Sequence, residues 1–335
     1  MPGFQLSPGI VVDSERREAY VMGPSGGIVA IDLSTGVPVW RTSSADKPLT
    51  LSGDLLVGQA EALGPGNALR IVTLDTSRRG SQVTEVLVDL PPGVQPMIAR
   101  SLNRSFTVEA RPEPGEAAVS WEFVEQPLRG TAPGPLEVLP GEAAPAASAG
   151  ASPAIGPTET PPSAMVDAES GAEATVFRGE ARIDLSSGTV TATEARPMTA
   201  APPATVSAGD SAPASDVEPG GTISGVPQPQ FISADGRHVL SSQRVADDPE
   251  WDKYLWTIFE RESGSRIGEL RTHLRYAPFF VIDTRLIYET PPYARRRGRR
   301  MAPEPLQIRA VDLITGASVW SQPVRDTVDR QPPPP

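Results

Sequence analysis

The sequence predicts an all-β fold assembled from repeated four-stranded units. Three observations predict it. Residues 30–40 (AIDLSTGVPVW) and 310–320 (AVDLITGASVW) are nearly one phrase, written close to the two ends of a 335-residue chain. Recurrence in register over that span marks a repeat architecture. Short runs rich in Val, Ile, Leu and aromatics alternate with turn residues, the signature of strands. No segment sustains the 3.6-residue apolar period of an amphipathic helix.

Two kinds of hairpin alternate along the chain. The first kind reads GIVVDSERREAYVMG at 9–23, LTLSGDLLVGQ at 49–59, MIARSLNRSFTVEA at 97–110, FISADGRHVLSSQ at 231–243 and FFVIDTRLIYET at 279–290. Asp13, Gly53, Asn103, Asp235 with Gly236, and Asp283 mark the turns. Asn and Asp bond their own backbone there, and Gly tolerates positive φ. The second kind reads GIVAIDLSTGVPVWRT at 27–42, LRIVTLDTSRRGSQVTEVLV at 69–88, YLWTIFERESGSRIGELRT at 254–272 and LQIRAVDLITGASVWSQPV at 306–324. Hairpin plus hairpin makes a unit of about 40–50 residues, the size of one propeller blade. The expected fold is therefore a β-propeller of about five four-stranded blades, with six or more left open.

The third unit is interrupted. Asp13 to Gly53 is 40 positions and Asp235 to Asp283 is 48, but Asn103 to Asp235 is 132. Residues 127–228 are crowded with Pro, Ala, Gly, Ser and Thr. Such a composition buries too little apolar surface to offset ordering entropy, so a disordered insert is expected. Within it, a strand pair is expected at about 174–195, where IDLSSG (Ile183 to Gly188) echoes IDLSTG (31–36). Either this pair or VSWEFVEQ at 119–126 supplies the third strand of blade three. The expected organisation is blades one to three (in part) over 1–126, the insert over 127–228, blades four and five over 229–326, and a disordered tail over 327–335.

In the repeated phrase, Asp32 is placed to accept turn N–H groups, and Gly36 to take the left-handed conformation. Trp40 is placed to dock on the neighbouring blade, and Asp312, Gly316 and Trp320 to do the same at the other end. The pattern A-x-D-x-x-T-G-x-x-x-W resembles the tryptophan-docking repeat of pyrroloquinoline-quinone (PQQ) type β-propellers. The resemblance is good in blades one and five, partial at 183–188 and weak in blades two and four. It implies the fold. The family includes quinoprotein dehydrogenases and non-catalytic members such as the lipoprotein subunit of outer-membrane protein assembly. The enzymes bind PQQ with calcium, commonly beside adjacent cysteines, and this chain has no cysteine. The resemblance therefore points to a non-catalytic member with no cofactor, no metal and no catalytic residue.

Composition narrows the partners. A formal net charge of −11 argues against nucleic acid as a default partner. Lys47 and Lys253 are the only lysines, and without cysteine there are no disulfides or thiolate sites. The N-terminus MPGFQLSPGIVVD has neither the basic nor the apolar region of a signal peptide. A cytoplasmic location is expected, or the cell envelope or periplasm if a leader has been removed. No run reaches the roughly 20 apolar residues of a membrane span.

Candidate sites break the repeat. His238 and His273, the two histidines, lack the spacing of a metal pair. No G-x-S-x-G elbow accompanies them, although sequence order alone does not exclude a Ser–His–Asp set. Asn103-Arg104-Ser105 is formally a glycosylation sequon lying on an expected turn. Asp247, Asp248, Glu250 and Asp252 form an acidic loop between the second and third strands of blade four, at spacing unlike an EF-hand. Arg295, Arg296, Arg297, Arg299 and Arg300 form a basic loop at the equivalent place in blade five. That basic loop is the one feature suited to phosphate, nucleic acid or an acidic partner. In a propeller these loops open on one face, beside the blade-to-blade connections. The expectation is a non-catalytic scaffold that presents this face to a protein partner, as a subunit of a larger assembly. Two alternatives stay open: a PQQ- or other ligand-binding enzyme using the central channel, and a ligand-sensing module of a signalling or transport system.

Overall fold

A computed structural model of the chain describes residues 3–60, 67–92, 94, 104–126, 175–199, 223–247, 252–297 and 300–325. The first sheet holds β1 (Gly3–Ser7), β2 (Ile10–Asp13), β3 (Glu18–Met22), β4 (Ile28–Asp32) and β5 (Pro38–Thr42). The second holds β6 (Lys47–Ser52), β7 (Leu55–Gln59), β8 (Ala68–Asp75) and β9 (Ser81–Asp89). The third holds β10 (Arg104–Glu113), β11 (Glu116–Glu125), β12 (Thr175–Asp184) and β13 (Val190–Thr199). The fourth holds β14 (Gln230–Ile232), β15 (His238–Asp247), β16 (Asp252–Glu260) and β17 (Arg266–Thr272). The fifth begins with β18 (Phe279–Ile282) and β19 (Arg285–Thr290). A separate two-stranded ribbon follows, β20 (Tyr293–Arg297) with β21 (Arg300–Glu304). The sheet is then completed by β22 (Gln307–Asp312) and β23 (Ser318–Pro323). Every sheet is an antiparallel meander in chain order, and together they are the five blades of a β-propeller.

Burial explains why the inner strands read as continuous apolar runs. In β2 all four residues are buried, and in β3 four of five are. Side chains alternate between the faces of a strand, so a strand buried throughout must be covered on both. Val11 and Tyr20 pack with Leu56 and Val72 of blade two. Their neighbours Ile10, Val12 and Val21 pack with Ile287 and Ile308 of blade five. The outer strands have one dry face at most, and β5 buries only Trp40.

Four core clusters lie at seams between blades. They join blades one and two, two and three, four and five, and five and one. The last blade thus returns beside the first. Among the described residues no core cluster joins blades three and four.

The structure adds to the sequence reading in blade one and revises and resolves it in blade three. Blade one carries an additional strand, β1, paired Gly3↔Asp13 and Phe4↔Val12. The first turn of blade three lies at Pro114-Gly115 rather than at Asn103, which falls outside the described residues with 95–102. Pro-Gly with a left-handed Gly115 (φ +77°) is the stronger turn chemistry. VSWEFVEQ then belongs to the second strand, and the pair at 175–199 supplies the third and fourth, with Glu125 directly opposite Thr175. The rest of the expected insert (127–174 and 200–222) and the tail from 326 lie outside the described residues.

Candidate interaction surfaces

A meander sends its first-to-second and third-to-fourth turns to one end of the blade. The second-to-third connections emerge at the other. Each end carries a distinct chemistry.

At the first end, every third-to-fourth turn is built around one acidic residue and one glycine. Asp32 Oδ1 accepts from Ser34 N (2.9 Å), Thr35 N (2.7 Å) and Thr35 Oγ1 (2.9 Å). Gly36 N donates to Asp32 O at 2.7 Å, with Gly36 at φ +72°. Asp312 repeats the set with Ile314 N (3.0 Å), Thr315 N (2.8 Å) and Thr315 Oγ1 (2.9 Å). Asp184 does so with Ser186 and Ser187. Accepting the Ser186 hydroxyl and then the Ser187 N–H holds the Asp184 carboxyl down to about 2. The Thr315 N–H, then its hydroxyl, likewise lowers Asp312.

Three of the five turn glycines, Gly36, Gly80 and Gly188, seat a residue of the preceding blade. A Cβ on Gly36 would lie 2.5 Å from Trp320 Cγ, and one on Gly80 2.4 Å from Trp40 Cζ3. Only glycine admits an indole that close. Trp320 Nε1 donates to Leu33 O (3.0 Å), and Gln322 Nε2 to Gly36 O (2.8 Å). The docking residue stands four positions after its own turn glycine: Trp40 after Gly36, Thr84 after Gly80, Gly268 after Gly264, and Trp320 after Gly316. Thr84 covers Gly188, where a Cβ would be 2.8 Å from the Thr84 Cβ. Gly316 has no described atom within 4 Å of where a Cβ would stand. There a cleft of about 330 Å³ opens between residues 269–271 of β17 and 313–316 of the blade-five turn.

Charged residues tie the same end together. Arg16 and Arg17 are adjacent in the β2–β3 turn of blade one. Arg16 pairs with Asp54 of blade two (2.6 Å), and Arg17 with Asp283 of blade five. The hydrogen bond from Arg17 holds Asp283 below the ordinary carboxylate range. Arg285 of blade five also donates to Ser34 O.

At the second end lie the acidic and basic segments. Asp247 closes β15 and Asp252 opens β16, and the two are directly paired positions; Asp248 and Glu250 lie outside the described residues. The basic segment, expected as a loop, is the β20–β21 ribbon. It pairs Arg295↔Ala302, Arg296↔Met301 and Arg297↔Arg300, with Arg299 outside the described residues. Blades four and five share a seam, so both segments leave the molecule at one end on neighbouring blades.

The histidines are far apart within blade four. His238 opens β15 at the first end, and His273 follows β17 at the second. His238 Nδ1 lies 3.7 Å from Asp235 Oδ2, and Ser233 Oγ donates to Asp235 Oδ1. Burial works to raise the Asp235 carboxyl, but His238, then Ser233, hold it below its ordinary value. The serine hydroxyl is committed to the carboxylate, so these residues close a turn and do not form a nucleophile–base pair. Among the described residues, no group of three or more His, Asp or Glu side chains is placed to hold a metal ion. Among the described residues no helix is long and apolar enough to cross a membrane.

The sequence reading missed the cleft. Two signals mark it: Gly268 at a docking position, and Ile314 where blade one has Ser34.

No family model matches the chain, and no curated protein does. Among solved structures, it is similar to a europium-containing methanol dehydrogenase at 11% identity and a TM-score of 0.22, covering 92% of this chain and 67% of that one. It is also similar to the β-propeller domain of Myceliophteria thermophila Cps50 (Swd1) at 13% identity and a TM-score of 0.25, covering 94% and 83%. Those scores are too low for either likeness to bear on activity, and the blade architecture rests on the five sheets and their seams.

Proposed function

We propose that the chain is a non-catalytic propeller scaffold whose second-to-third strand connections bind a protein partner within a larger assembly. One observation carries this reading. At one end of adjacent blades, like charges occupy directly paired positions twice, Arg297↔Arg300 and Asp247↔Asp252. Like charges directly opposite across a strand pair are destabilising. A partner of complementary pattern, acidic against the ribbon and basic against the turn, relieves both. Complementary fields of this kind set register and association rate.

The test uses the full chain as bait in native extract. Replacing Arg295, Arg296, Arg297, Arg299 and Arg300 with serine is expected to abolish capture of the partner, and raised salt to weaken capture by the unaltered chain. An unchanged partner with the serine variant rejects the reading.

A further inference from the structure

We propose that the cleft over Gly316 is a docking seat for an aromatic side chain, tryptophan above all, carried by a strand of a partner protein. The inference rests on the scaffold reading only in taking the occupant as a polypeptide. It concerns the opposite end of the blades.

What such a seat accepts is visible twice in the same molecule. The turns over Gly36 and Gly80 each receive an indole from a neighbouring outer strand. The blade-five turn is built as the blade-one turn is, with the same carboxylate bonds from Asp312 and the same left-handed glycine (φ +69°). Blade four ought to fill it but cannot. Its docking position is Gly268, which lets β17 approach so closely that a Cβ there would lie 2.6 Å from Leu313 O. An indole at 268 is sterically excluded. The space opens beside it, between residues 269–271 and Gly316, as a cleft of about 330 Å³. That is the lower end of the ~300–1,000 Å³ range of binding pockets, suited to one bicyclic group.

Its lip carries one exposed apolar side chain. Ile314 stands where blade one has Ser34, and 74% of it is open to solvent. Leu270, Leu313 and Ile314 line the cleft together with Glu269, Arg271 and Thr315, so an amphipathic ring such as indole finds both apolar contact and polar partners there. β17 is the edge of its sheet. Its free backbone groups offer an incoming strand the main-chain pairing of β-augmentation. The chain does not supply the aromatic from the segments outside the described residues. The one aromatic they contain is Trp251, which belongs to the connection at the other end of blade four.

The probe is a capped peptide copying residues 317–323 (ASVWSQP), the strand that fills the blade-one seat, with 5-fluorotryptophan at the tryptophan position. Fluorine NMR is followed as the full-length chain is added. The resonance is expected to shift and saturate with a Kd at or below about 1 mM. Gly316→Asn places a side chain in the cleft, and Asn tolerates the left-handed conformation. It is expected to weaken binding by about tenfold or more. Ile314→Asp, at an exposed position, is expected to weaken it in the same direction. Gly236→Asn is the control, since Gly236 is also left-handed (φ +71°) and open; binding is expected to be unchanged.

No fluorine shift at millimolar peptide overturns the proposal, as does equal binding by Gly316→Asn. N-acetyltryptophanamide binding as tightly as the peptide reassigns the seat to a small aromatic ligand. Self-association abolished by Gly316→Asn reassigns it to a second copy of this chain; either result overturns a partner's strand. Loss of ribbon-dependent capture leaves all these readouts intact, so the two readings fail separately.

Discussion

Trp320 and Trp40 occupy equivalent positions but are held differently. Trp320 lies over Gly36 and donates its indole N–H to Leu33 O at 3.0 Å. Trp40 lies over Gly80 and stacks on Tyr20, with ring centroids 5.5 Å apart. Truncating a buried Trp to alanine costs about 3–5 kcal/mol through lost burial and the cavity left behind. Trp320→Ala and Trp40→Ala are each expected to lower the Tm clearly by scanning calorimetry, with the seams on either side of blade one as the reason. Gly36→Ala is expected to do so as well. It strains a φ of +72° and drives a methyl into the Trp320 ring. These residues were legible in the sequence because turn chemistry and tryptophan recur in register. The seat over Gly316 was not, because glycine at position 268 reads as nothing unless the repeat is counted forward from Gly264.

At the scale of the strand and turn, blade three shows what a turn residue can and cannot specify. Asn103 and Pro114-Gly115 both carry turn signals, and only the second sits at the start of a ten-residue register with β11. The IDLSSG echo spans the turn after β12, where Asp184 makes the same local bonds as Asp32. The arginine strands β20 and β21 escaped notice because charged residues give no apolar alternation to read. The Asp184 turn also sets a pH response. Its carboxyl is lowered from 3.8 to about 2 in the folded protein. A depressed acid stabilises the fold above its unfolded pKa, and that contribution is lost as pH falls through the folded one. Tm is therefore expected to fall between about pH 4 and pH 2, and Asp184→Asn to flatten that slope. A slope unchanged in the variant assigns the acid sensitivity elsewhere, Asp283 and Asp312 being the next carboxylates held low.

For the whole molecule, the register of blade three lets its central hairpin be closed by a much shorter connection. Glu125 and Thr175 are directly paired, so a tight turn closes the same hairpin. Replacing residues 126–174 with a short Asn-Gly turn shortens the closing loop from 49 residues to a few. Loop-closure entropy then favours the folded chain by up to about 2 kcal/mol. An unchanged or raised Tm is expected by thermal melting; a collapse of the transition means the excised segment carries part of the core. Composition made this interruption visible in the sequence, but the strand that resumes after it was anchored only by a six-residue echo.

The bond from Trp320 to Leu33 spans 287 positions along the chain. During synthesis the first blade leaves the ribosome long before the residue that covers its turn exists. Blade one is therefore made before blade five and finished only after it. Pulse-labelled hydrogen exchange during refolding is expected to find Asp32–Gly36 protected after the hairpins of blade two. Premature termination before residue 320 is expected to leave a nascent chain with an uncovered apolar seam, a substrate for chaperones.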